Sequence, residues 1–152
     1  MTTYTKAGDI ASAIAERITG IRLANGFETD IGRDVKRGRR KIPADDAPPC
    51  AVIFEGDDDP KDRPGRIPLV LVQQAYVLDA YDKCDPDNPN DQAHKMIRDL
   101  KRAIFARDAT LGGTVSKVMY IGRDIGPRPD GAALVQARVM IVVEFVEDLT
   151  NP

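Results

Sequence analysis

The sequence has little of what catalysis, metal binding or membrane insertion needs. Its 152 residues hold one histidine, His94, and two cysteines, Cys50 and Cys84. These never fall into the HExxH, HxH or CxxC spacing that would gather ligands around one ion. A Ser-His-Asp or Cys-His arrangement would have to use His94, beside Asp91 on a helix, with Cys84 ten residues away across a proline-rich turn, and no nucleophile elbow supports it. The segments LGGT and IGRDIG lack the strand–GxGxxG–helix order of a phosphate cradle and read as turns. Asp57, Asp58 and Asp59 are consecutive carboxylates on what reads as a loop, where they splay apart, whereas metal sites draw ligands from separate rigid elements. The chain is therefore expected not to be an enzyme, and to need no cofactor and no metal. No run approaches the roughly 18 apolar residues of a membrane span. The start, MTTYTKAGD, has neither the apolar core nor the cleavage site of a signal peptide, so a cytosolic product with no membrane partner is expected.

What is present describes one ordinary globular domain. At 42% apolar and 30% charged residues the chain is not of disordered composition, and a domain of this length buries roughly 70% of its unfolded surface. Cys50 reads as a small buried apolar side chain and Cys84 as a free loop thiol. The net charge is only −2, but the charge is segregated. Arg33 to Lys41 (RDVKRGRRK) holds six bases and one acid, while Glu55 to Asp62 (EGDDDPKD) holds five acids and one base. Such blocks are either solvated or mate with one another in an assembly. The basic stretch has no interleaved aromatics and no helix-turn-helix around it, so sequence-specific recognition of nucleic acid is not expected and non-specific contact with DNA stays open.

The strongest pattern is Ala132 to Val146, which alternates strictly and marks a long β-strand. Ala133, Val135, Ala137, Val139, Ile141, Val143 and Phe145 share one face. The other face mixes Gln136, Arg138 and Glu144 with Leu134, Met140, Val142 and Val146, too apolar for a face left to water. Leu69 to Tyr81 is a second long strand apolar on both sides, with Val70, Val72, Tyr76 and Leu78 on one and Leu71, Ala75 and Val77 on the other. Around these the spacing predicts a helix from Ile10 to Leu23, capped by Asp9 and stopped at Asn25-Gly26. It also predicts a short strand near Thr29 to Val35, a strand Ala51 to Glu55 followed by an exposed loop, and a helix from a cap at Asn90 or Asp91 to about Ala106. A strand near Val115 to Ile121 then leads through a connection, Gly122 to Gly131, into the final strand, with a polar mobile tail at 148–152.

Helix, strands, helix, strands, with hairpin-length or helix-bearing connections, make an α+β fold: a twisted, mainly antiparallel sheet with two helices packed on one face. The other face then lacks cover within the chain and exposes more apolar surface than monomers usually tolerate. Burying it against another chain recovers about 25 cal/mol per Å², so a homo-oligomer is expected on physical grounds alone, with Arg138, Met140, Val142 and Glu144 in the interface.

The order of these pieces resembles the tail terminator proteins of long-tailed bacteriophages, also called tail completion or minor tail U-type proteins. The resemblance spans nearly the whole chain as a single domain, 1–152. It is carried by the N-terminal amphipathic helix, TDIGRDVKRGRR, PPCAVIFEG, QQAYVLDAY, the DLKRAIF helix end and LGG, and most of all by YIGRDIGPRPDG followed by the alternating VQARVMIVVEF. It implies a structural virion protein, assembled in the host cytoplasm into a hexameric ring at the head-proximal end of the tail. That ring would stop polymerisation of the tail tube protein and offer a docking surface to the head-tail connector or neck protein, with the genome passing through its lumen. Under this resemblance the charged stretches, Lys36, Arg37, Arg39, Arg40 and Lys41 against Asp57, Asp58 and Asp59, would register stacked rings or face the lumen. The alternatives are another neck, head-tail joining or tail tube component of similar fold and, behind them, a non-specific nucleic-acid-binding module.

Overall fold

The computed structural model describes residues 5–38, 48–61, 68–126, 131 and 133–152. Helix α1, Lys6–Thr19, lays Ile10, Ala11, Ile14 and Ile18 on one buried stripe. The cap is Thr5, whose hydroxyl accepts from the Gly8 amide at 3.2 Å, so Asp9 lies inside the first turn, where a carboxylate still suits the helix dipole. The helix stops at Gly20 rather than at Asn25-Gly26. Gly26, at φ 86°, closes a separate 3-10 turn, Leu23–Asn25.

The strand expected near Thr29 to Val35 is displaced. Ile31–Arg33 forms a 3-10 turn, and the strand β1 is Val35–Arg37. The reason is anchoring upstream. Asp99, fully buried on the second helix, accepts the Thr29 hydroxyl at 2.7 Å and the Glu28 amide at 3.1 Å, and the buried Gly32 donates its amide to the Ile21 carbonyl at 3.0 Å. A Cβ on Gly32 would lie 2.5 Å from the Ile18 carbonyl oxygen, so only glycine lets this turn pack under α1. We expect Asp99→Ala to cost about 2 kcal/mol, because it strands a buried hydroxyl and an amide together. Urea denaturation reads the loss, and an unchanged midpoint would show that the anchor carries no stability.

β2 is Cys50–Lys61, β3 Leu69–Lys83, α2 Pro89–Phe105, β4 Lys117–Ile125 and β5 Leu134–Asp148. All are longer than, or offset from, the segments the sequence suggests, and the largest correction is β2. Residues after Glu55 continue as strand through Asp57, Asp58 and Asp59 because β3 is long enough to pair with them, Asp58 opposite Gln74 and Asp59 opposite Gln73, after a bulge between Glu55 and Asp58. α2 begins with Pro89 after its cap Asn88, two or three residues before the caps expected at Asn90 or Asp91, since proline suits a first-turn site with no partner for an amide. β4 takes in Gly122 to Ile125, which reads as connection in the sequence, because Asp124 and Ile125 pair with Arg138 and Ala137. Asp148 closes β5 rather than opening a tail, and its carboxylate accepts from the amide and hydroxyl of Thr150.

The strand order is β1-β2-β3-β5-β4. β2–β3, β3–β5 and β4–β5 are antiparallel, and only the short β1 runs parallel to its neighbour β2. The fold is α+β, with an open sheet and both helices on one side, as the element order implies. On that side Ala51 and Ile53 of β2, Val72, Tyr76, Leu78 and Ala80 of β3, and the odd residues Val135 to Phe145 of β5 are buried with the helix stripes in one core. Every odd-numbered position of the long β5 run from Val135 to Phe145 is therefore core, as its alternation predicts.

Candidate assembly interface

The second face of the sheet carries Leu71, Gln73, Ala75, Val77, Asp79 and Tyr81 of β3. In register beside them on β5 are Val146, Glu144, Val142, Met140, Arg138 and Gln136. Towards β2 this face is closed: Cys50 and Val52 are 1% and 2% exposed. Towards β5 and β4 the cover thins. Leu71, Ala75, Val77, Met119, Met140, Val142 and Val146 are half-buried, shielded by one another and by no helix among the described residues.

Two polar clusters cross this apolar ground. In the first, Asp79 is 1% exposed, and its carboxylate accepts from Arg138 Nε at 2.8 Å, Arg138 Nη2 at 3.0 Å and Gln136 Nε2 at 3.1 Å. This is a bidentate guanidinium–carboxylate pair, the geometry that best offsets desolvation, and the bond to Asp79 holds the Arg138 pKa above its ordinary value. In the second, Gln73 donates to Glu144 at 3.0 Å and Lys117 of β4 approaches the same carboxylate at 3.9 Å. The face is thus built from satisfied polar groups between half-covered aliphatic ones. It can be buried against another protein without stranding a charge.

The four expected interface residues therefore stand together on one face of β5. Met140 and Val142 are its uncommitted apolar members, whereas Arg138 and Glu144 already have partners in the chain. Among the described residues the charged stretches are not brought together. Lys36 is half-buried and 3.2 Å from Asp34, Arg37 is exposed with its guanidinium near Ser12 Oγ, and both lie on β1 beside Val52 and Ile53. Arg39, Arg40 and Lys41 lie outside the described residues. Asp57, Asp58 and Asp59 project on the exposed outer half of β2, beyond the end of β1, where Asp59 pairs with Lys61 at 2.6 Å.

Two residues with large roles, Asp79 and Asp99, are not apparent in the sequence as site or scaffold. The signal for each was a carboxylate at an otherwise apolar position: Asp79 within VLDAY, Asp99 between Met96 and Ala103 on the buried stripe. Among the described residues nothing else gathers into a catalytic constellation. His94 is exposed, and no three of His, Cys, Asp and Glu are placed to hold a metal among the described residues. The Tyr76 hydroxyl is buried without a partner, and burial raises its pKa strongly. That leaves it a protonated core group. A hollow of about 250 Å³ between α1 and the turn after α2 is lined by Glu16, Arg17, Arg107, Leu111 and small residues, with no nucleophile beside a base. No helix among the described residues is long and apolar enough to cross a membrane.

No protein-family model and no curated protein matches this chain. The functional reading therefore rests on the surface geometry and on the resemblance stated above.

Proposed function

We propose that this protein is a structural assembly subunit, a tail terminator that closes into a ring on the head-proximal end of a phage tail tube. There it would end tube growth and present a docking surface to the neck of the head. The observation that supports the reading most directly is the uneven cover of the sheet, with both helices on one side and a half-apolar face on the other, organised by Asp79–Arg138 and Gln73–Glu144. Identical subunits joined head to tail can hide such a face on every copy at once, provided the rotation closes. The six-fold count and the tube and neck partners come from the resemblance alone. Non-specific contact with DNA in the lumen would fall to exposed bases such as Arg37.

The test is mass and location. Multi-angle light scattering should find a closed oligomer, alone or with tube protein added, and electron micrographs of labelled tails should find it at the head-proximal end. A strict monomer under both conditions would sink the ring. Label at another position on the tail or neck would favour the alternative component of similar fold.

A further inference from the structure

We infer that two copies of this chain pair edge to edge, β4 of each lying antiparallel to β4 of the other about a twofold axis at Tyr120 and Ile121. The contact goes beyond the ring reading and does not depend on it. β4 is nine residues long and outermost in the sheet, at the opposite edge from β1. The Gly126 amide bonds the Gln136 carbonyl at 2.9 Å, so the even-numbered residues of β5 turn their backbone groups towards β4. Their partners there are Lys117, Met119, Gly122 and Asp124. Val118 and Arg123 are left with amide and carbonyl directed outward, unbonded among the described residues. An unpaired edge of this length is a natural template for another strand.

The bulge in β4 selects the partner. Ile121 is an extra residue between Tyr120, opposite Ile141, and Gly122, opposite Met140. A regular strand laid along this edge meets one residue too many and has to slip in register there. A second copy turned about a twofold axis at the bulge carries the same extra residue, so the two stand opposite each other and the register runs through. Faces then match on both sides of the axis. Lys117, Met119, Gly122 and Asp124 share the open face with their β5 partners, and Val118, Tyr120, Arg123 and Ile125 share the helix face. With Val118 of one copy opposite Arg123 of the other, two sets of outward backbone groups meet and can exchange hydrogen bonds. Met119 then stands opposite Gly122, and Lys117 opposite Asp124, each pair within one face.

The side chains in this register are complementary. The Lys117 side chain is 55% exposed and 3.9 Å from Glu144, and the exposed Asp124 carboxylate accepts the Ile125 amide at 2.9 Å. Set opposite each other, they make an ion pair that the twofold axis repeats. Met119 of one copy settles on Gly122 of the other, where the Met140 methyl carbon lies 3.6 Å from the place of a Cβ. An edge glycine leaves room for that approach, and thioethers adapt to it. Met140 thus borders this contact as well as the open face. On the helix face Tyr120 and Ile121, 43% and 57% exposed, gather at the axis with their counterparts. The Tyr120 ring is already held, with Phe105 edge-on at 6.5 Å and Lys101 Nζ 4.4 Å from its centroid. Sliding one copy by two residues also matches the faces, but sets Asp124 against Met119 and Lys117 against Gly126, with no ion pair.

The test is a charge swap, with Lys117→Glu as one variant and Asp124→Lys as the other. Both positions are exposed, and circular dichroism checks that each variant is folded. Wild type should form a dimer at low salt, and each variant alone should pair about tenfold or more weakly, as light scattering reads it. A one-to-one mixture should recover the dimer, because both cross pairs then hold opposite charges, as should one chain carrying both changes. A covalent control mixes Lys117→Cys chains with Asp124→Cys chains. These positions form a close non-hydrogen-bonded pair, so oxidation should link unlike chains into a dimer that neither variant gives alone. If wild type does not pair, if the variants pair as well as wild type, if the mixture stays apart or if no linked dimer forms, the twofold contact is wrong. A larger closed oligomer untouched by Lys117→Glu would overturn it and leave the ring standing. A dimer that never grows, even with tube protein, would keep the twofold contact and remove the ring.

Discussion

Met140→Asp should yield a folded monomer that no longer assembles. Met140 is half-buried on the open face, its methyl over Gly122, and it contributes nothing to the core beneath the helices. Within one subunit the new carboxylate stays in reach of water and two residues along the strand from Arg138, on the same face, so the monomer should lose about 1 kcal/mol, a typical surface-to-boundary penalty. At a junction the same carboxylate would be desolvated against a neighbour's apolar side chains with no partner. A penalty of about 3 kcal/mol per contact corresponds to roughly a hundredfold in association. Cyclic assembly repeats the substitution at every contact, so a ring should be lost outright. Met140→Leu, close in volume and apolar, should retain it. Light scattering and urea melts on the same samples separate the two effects. Cooperative loss of the monomer fold would mean that Met140 belongs to a core within the chain, and normal assembly of Met140→Asp would remove the open face from the interface.

How much of this was legible depends on the range over which each signal acts. The alternation of Val135 to Phe145 identified a buried strand face because period-2 burial is local to the chain, and the unusual opposite face was visible for the same reason. The Ile10–Ile18 and Met96–Ile104 stripes were equally local. What could not be seen was pairing. Asp57 to Asp59 look like loop because Gly, Asp and Pro disfavour strands on their own, and only fifteen residues of β3 with an unpaired half draw them into the sheet. Asp79 and Arg138 lie 59 positions apart, so their contact exists only once the β3–β5 register is known. Thr29 likewise takes its place from Asp99, 70 positions on. Arg138 with Asp79 and Glu144 with Gln73 likewise find partners within the chain that only the strand register reveals.

The first of these pairs sets the second large effect. Arg138→Leu should destabilise the monomer by about 3 kcal/mol, lowering Tm by roughly 6–12 °C for a domain of this size. The side chain of Asp79 is 1% exposed and that of Arg138 39%, so the asymmetry decides the outcome. Removing the arginine leaves a carboxylate out of water with Gln136 as its remaining side-chain donor. Removing the carboxylate leaves a guanidinium that can swing into solvent, and Asp79→Asn, which can still bond Gln136, should cost only about 1–2 kcal/mol. The pair replaced together by apolar groups of similar reach, Asp79→Val with Arg138→Met, should return to within about 1 kcal/mol of wild type, because no charge is then left buried. A double-mutant cycle closed with the single variants Asp79→Val and Arg138→Met, read from urea melts, should therefore give a coupling above about 1.5 kcal/mol. Additive effects, or a harmless Arg138→Leu, would show that the pair is not holding the face together. The repaired double variant also separates two tasks. If it folds and still assembles, Asp79 and Arg138 build the flat, satisfied ground of the open face, and the contact between subunits belongs to Met140 and Val142. If it folds and cannot assemble, the guanidinium itself reaches across the junction, and the bond to Asp79 is what aims it there.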